Sequence, residues 1–120
     1  MDTRTKIATG PECAPRLAEL RRNRGEVRVI SGYFDPMLAE HAARLEAAAD
    51  GASAVAVVVL DPPDPILPAR ARTELVAALA CVSLVLAPEN CDALEVDVPL
   101  EREDLQARAV FEAHVRERQS

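Results

Sequence analysis

The chain has 120 residues, of which 49% are apolar, so it can form one domain with a substantial core. Twenty acidic residues against fourteen basic ones give a net charge of −6, which argues against nucleic acid or an anionic membrane surface as partner, since both demand a basic face. Aromatic residues make up only 2%, so the core is aliphatic, and Lys6 is the lone lysine, so the positive charge is almost all arginine.

Residues 1–12 lack periodicity and read as a loose, flexible tail ahead of a single domain over 13–120. Pro15 suits the first turn of a helix whose apolar side carries Leu17 and Leu20. Arg21, Arg22 and Arg24 then crowd its end, where cations suit the dipole, and Gly25 closes it. Val27–Ser31 is a first strand, followed by the Asp35-Pro36 turn. After that turn Leu38, Ala42, Leu45 and Ala49 fall at helical spacing, and Gly51 ends the helix. Ala54–Leu60 is an unbroken aliphatic run, as expected of a strand buried on both faces of a parallel sheet. It is too short to cross a bilayer, which takes about 20 residues.

Asp61 to Pro68 holds four prolines in eight residues and is a stiff loop, with Asp61 and Asp64 as members of a solvated turn rather than a metal pair. Pro68 opens a third helix with Ala71, Leu75, Ala78 and Leu79 as the expected buried stripe and Arg70 and Arg72 in its first turn. Val82–Leu86 is a third buried strand, Pro88–Asp92 a turn, and Ala93–Val98 a weaker strand at an edge. From Leu100 to Arg118 a charged helix sets Ala107, Val110, Phe111 and Val115 on one side, with His114 at the surface. Strand and helix in alternation define an α/β fold, three-layered and Rossmann-like, with a parallel sheet of about four to five strands.

Cys13, Cys81 and Cys91 are odd in number and lack zinc-site spacing. They read as reduced thiols of a cytoplasmic protein, with Cys81 in the core. No P-loop, Gly-x-Gly-x-x-Gly, Ser-His-Asp order or zinc-site spacing is present in the sequence.

The stretch Gly32-Tyr33-Phe34-Asp35-Pro36, with His41 on the helix behind it, resembles the nucleotidyltransferase superfamily of cytidylyltransferase-like proteins, and within it the sugar-phosphate nucleotidyltransferases such as the ADP-heptose synthase domain. Their signature is Gly-x-Phe-Asp-x-x-His-x-Gly-His after a strand; Gly32, Phe34 and Asp35 match it and His41 lands on the final histidine. The likeness extends over residues 27 to 86, through Arg70-Ala71-Arg72-Thr73-Glu74 and the strand that follows. It implies a nucleotide site made by Gly32, Tyr33, Phe34, Asp35, Glu40, Arg70 and Arg72, with His41 as the catalytic residue. From the residues alone, Asp35 reads first as a helix cap, and the first-turn arginines as partners for a ligand or a carboxylate.

The departures from the signature are as informative. Leu38 stands at the first histidine and Glu40 at the glycine. Phosphoryl-type transfer relies on donors aimed at developing negative charge, and losing one costs about 10²–10³ in rate. Relatives also carry a lysine after the second strand and a late Ser/Thr-rich turn; here no lysine follows Lys6, and no Ser or Thr lies between Ser83 and Ser120. The resemblance therefore implies a nucleotidyltransferase-like protein with a degenerate NTP site, weak or inactive in NMP transfer to a sugar phosphate: a pseudoenzyme that keeps a nucleotide or phospho-ligand cleft. Two alternatives stand beside it. One is an active adenylyl- or cytidylyltransferase with a rewired site, using Mg²⁺. The other is a non-enzymatic homodimeric interaction module.

Overall fold

The computed structural model describes residues 3–35, 39–87, 95–101, 104–106, 108–110 and 112–113. Five parallel strands form one sheet: β1 (Ile7–Thr9), β2 (Val27–Gly32), β3 (Ala54–Val59), β4 (Leu84–Ala87) and β5 (Val98–Pro99), in the order β1-β4-β3-β2-β5. The helices are α1 (Cys13–Arg24), α2 (Ala39–Ala49) and α3 (Ala69–Ala77), and helical backbone returns at 101, 104–106, 108–110 and 112–113. This is the three-layer α/β arrangement that the alternating pattern predicts.

Strand periodicity builds the layers. Val27, Val29, Ala54, Ala56, Val58, Leu84 and Leu86 face Cys13 and Leu17 of α1 on one side of the sheet. Ile30, Val55, Val57, Val59 and Val85 face Leu45 of α2 and Val76 and Ala77 of α3 on the other. Every residue of β3 is buried, as its unbroken apolar run requires of a central strand. Gly25 closes α1 in the left-handed region, φ 81°, and donates its N–H to the Arg21 carbonyl. The Arg28 guanidinium, on β2, donates to the carbonyls of Ala48 and Asp50 and so caps the far end of α2.

Three expectations need correction. Residues 7–9, assigned to a loose tail over 1–12, form β1, which pairs with β4 from Ile7↔Val85 to Thr9↔Ala87. A three-residue edge strand is too short to show an alternation in sequence. The edge strand expected over 93–98 is β5 at Val98–Pro99, which pairs with Ile30 and Ser31; residues 93 and 94 lie outside the described residues. The buried stripe of α3 is Arg72, Thr73, Val76 and Ala77, while Leu75 is exposed. Periodicity counts apolar residues, and here an arginine takes a core position. The turn at 88–92, Cys91, Leu38, Ala107, Phe111, His114 and Val115 also fall outside the described residues.

Cys13 is buried, and Cys81 is half-buried against the core rather than within it. Burial pushes both thiols up from their ordinary value, so neither is a ready nucleophile at neutral pH. No helix among the described residues is long and apolar enough to cross a membrane.

Arg72 is 1% exposed and explains why α3 turns as it does. Its Nη1 donates to the Leu60 carbonyl at 2.7 Å and the Tyr33 carbonyl at 3.4 Å, Nε to the Leu67 carbonyl, and Nη2 to Asp61 at 2.7 Å. One planar fork thus satisfies carbonyls at the ends of β2, β3 and the proline loop, which a lysine could not do. The Arg72→Ala variant leaves those carbonyls without their donor and is expected to lose about 3 kcal/mol of stability. The Asp61→Ala variant leaves every one of those carbonyls its donor and removes the charge partner of the buried guanidinium, so it is expected to lose stability, but less than Arg72→Ala. Urea denaturation of the two variants checks the contrast.

Candidate functional site

The strand order makes β2 the point where the chain reverses direction across the sheet: β3 and β4 lie on one side of it, β5 on the other. In open parallel sheets the crevice beyond the carboxyl ends at such a reversal is where ligands bind. Gly32 ends β2 there, and the chain continues through Tyr33, Phe34 and Asp35.

A buried carboxylate, Asp104, occupies that crevice at 3% exposure. Its Oδ2 accepts the N–H of Tyr33 at 2.7 Å and that of Phe34 at 3.4 Å. Its Oδ1 lies 3.1 Å from His41 Nε2 and 3.9 Å from Nη1 of Arg44. Two consecutive backbone N–H groups aimed at one oxygen form an anion nest. Phe34 is in the left-handed region, φ 51°, a conformation that costs an ordinary residue roughly 1–2 kcal/mol and is held here by its surroundings. Its ring is fully buried and meets the His41 imidazole edge-on, with centroids 6.0 Å apart. The two oxygens differ: Oδ2 is satisfied by backbone N–H groups, whereas Oδ1 is buried without a hydrogen bond among the described residues, with the imidazole and the guanidinium close to it as charge contacts only.

Gly32 is required by close approach. A Cβ built there would stand 2.5 Å from Asp104 Oδ2 and 2.8 Å from two carbons of the Phe34 ring. The glycine of the signature thus makes room for an anion, and the anion is the protein's own side chain.

The other candidates divide. His41 is 1% exposed and sits on the core-facing side of α2 with Leu45, one residue round from the stripe expected on Ala42. Glu40 points to the surface, where its carboxylate is 3.4 Å from Arg44. Asp35 is buried, and its two oxygens accept the N–H groups of Ile66 and Leu67 at 2.6 and 2.7 Å, fastening the proline loop to the end of β2. The capping role read for Asp35 would involve 36–38, which lie outside the described residues. Arg72 is the buried fork already described. Arg108 completes the fastening: it donates to the carbonyls of Pro63 and Asp64 and lies 3.7 Å from Asp35.

Arg70 is not brought to this cluster. It is exposed, pairs with Glu74 at 3.2 Å, and lines a separate cleft of about 490 Å³ over the ends of β1 and β4, with Thr9, Thr73 and Ala87 on its walls. In the sheet order β3 lies between the strands of this cleft and β2.

Three residues of the crevice carried no weight in sequence. Asp104 stands among the charges of Glu101-Arg102-Glu103-Asp104 and looks like part of a solvated face. Arg44 and Arg108 likewise read as surface charges. The available signal for Asp104 is its place one turn after Leu100, the apolar residue that anchors the segment; the Asp104 N–H donates to the Leu100 carbonyl and the Leu100 N–H to that of Ser31.

The chain matches no known protein family, and no curated protein matches it at a significant level.

The close approach at Gly32 yields a test. The Gly32→Ala variant is expected to lose about 1–3 kcal/mol of stability, since the carboxylate and a buried ring must both move. Combined with Asp104→Ala, it is expected to lose less than the sum of the two single effects, because the clash with the carboxylate is then absent. Thermal denaturation of the three variants measures both quantities.

Proposed function

We propose that the chain is a nucleotidyltransferase-like protein with a degenerate NTP site, weak or inactive in NMP transfer. The observation that supports this most is the pair of consecutive N–H groups, of Tyr33 and Phe34, that donate to one carboxylate at the strand reversal, with His41 and Arg44 standing beside it. Donors converging on one anion at the end of the first long strand suit the phosphates of a mononucleotide. The frame Gly32, Phe34, Asp35 and His41 follows the spacing of the superfamily signature.

The reading of degeneracy rests on what each group does instead. Asp35 and Arg72 are committed to holding the proline loop. Leu38 replaces a histidine, and Glu40 adds a carboxylate at the start of α2. With these groups diverted, too few donors remain to stabilise charge on a transferred phosphoryl group.

Incubation with ATP or CTP, Mg²⁺ and a panel of sugar phosphates is expected to release pyrophosphate at no more than the background rate; robust release overturns the reading. In a parallel titration with millimolar ATP or CTP, amide shift changes in NMR spectra are expected to centre on Gly32 to Asp35 and on His41. Changes confined to the cleft lined by Arg70 count against it.

A further inference from the structure

We infer that the cleft lined by Arg70 is a second binding site, separate from the crevice at β2, for a small carboxylate with an apolar body, and that Arg70 is the residue that pairs with the carboxylate. The inference goes beyond the nucleotide reading and does not depend on it.

The cleft has the position and size of a ligand site. Thr9 and Ala87, on its walls, are the last residues of the paired strands β1 and β4. In the sheet β4 lies between β1 and β3, and the chain leaves those two neighbours for opposite faces. From β1 it enters α1, which packs Cys13 and Leu17 on one face; from β3 it reaches α3, which packs Val76 and Ala77 on the other. Where connections diverge in this way, the carboxyl edge of an open parallel sheet has room for a ligand. A volume of about 490 Å³ falls within the range of pockets that enclose small organic molecules.

The chemistry of the lining sets the class of ligand. Ile7, Ala69 and Ala87 bring only hydrocarbon to the cleft, which suits an aliphatic or aromatic body. Thr73 adds no free donor, because its hydroxyl donates to the Arg70 carbonyl at 2.8 Å. Charge is confined to Arg70 and Glu74. Arg70 donates through Nε to Glu74 Oε1 at 3.2 Å, and its side chain is 81% exposed. Its terminal nitrogens, Nη1 and Nη2, have no partner among the described residues. Glu74 thus steadies the guanidinium by one edge and leaves the other, a planar pair of donors, open to a carboxylate. Arg70 stands in the first turn of α3, where the helix dipole also favours an anion, whereas Glu74 lies one turn further on. An apolar body seated in the cleft excludes water beside the pair and strengthens it.

The test titrates the full chain with sodium octanoate across the millimolar range and follows amide shifts by NMR, with octylamine as the cationic comparator of equal length. Saturable shifts are expected at Thr9, Arg70 and Thr73, with octylamine binding at least about tenfold more weakly than octanoate. The Arg70→Gln variant is expected to bind octanoate about tenfold more weakly, the loss of one charge-assisted contact. Ala87→Leu, which fills the cleft, is expected to abolish the shifts; if circular dichroism shows that it does not fold, Ala69→Leu from the opposite wall takes its place. Absence of saturable shifts at these amides overturns the inference, as does octylamine binding as tightly as octanoate. Unchanged octanoate affinity in Arg70→Gln, or in the filled variant, overturns it equally. Octanoate binding here with no ATP or CTP binding upholds the inference and counts against the nucleotide reading; nucleotide shifts at Gly32 to Asp35 with no octanoate binding do the reverse.

Discussion

The amides of Tyr33 and Phe34 lie just past the end of β2, beyond the last residues that pair with β3 and β5. A buried N–H without an acceptor is costly, and the side chain of Asp104 supplies one at 2.7 Å. Much of the local architecture follows from that contact. Gly32 lacks a side chain because the carboxylate passes over it. His41 and Arg44 take places on α2 from which they can reach the same charge. The C-terminal helical segment begins where Leu100 is tied to Ser31, which brings Asp104 over the sheet one turn later.

A second set of polar contacts immobilises the proline loop. Its amides at Ile66 and Leu67 meet Asp35, its carbonyls at Pro63 and Asp64 meet Arg108, and the Leu60 and Leu67 carbonyls on its flanks meet Arg72. Prolines make such a loop stiff but deprive it of donors, so its carbonyls must look elsewhere. Arginine answers that need better than lysine, because its planar fork can serve several acceptors at once. In a chain whose positive charge is almost all arginine, at least three of those residues, Arg28, Arg72 and Arg108, hold backbone carbonyls in place.

The layers of the fold were legible because parallel strands are buried on both faces and therefore spell continuous apolar runs. Ala54–Val59 and Leu84–Ala87 stand out in that way, and Val27–Gly32 does so through Val27, Val29 and Ile30 although Arg28 and Ser31 interrupt it. Ile7–Thr9 does not, since three residues at an edge leave no periodic trace. The register of α3 was misread for a chemical reason: Arg72 faces inward with its charge neutralised and its donors used, and a hydropathy pattern gives it no credit for that. The site was half legible. Gly32, Phe34 and His41 are visible through their spacing, and they do meet in space. Asp104, which draws them together, is hidden among charged neighbours, because sequence alone does not distinguish an acid that is solvated from one that is buried against backbone N–H groups.

The short first strand has a bearing on how the protein keeps to itself. Ile7–Thr9 covers the open side of β4, whose four residues are all aliphatic and nearly all enclosed. Were that cover to peel away, the sheet would offer a bare row of amides and carbonyls backed by Leu84, Val85 and Leu86, a template to which another chain could add a strand. Three residues at the very start of the sheet thus act as a guard against edge-to-edge association, at a place far from the crevice at β2.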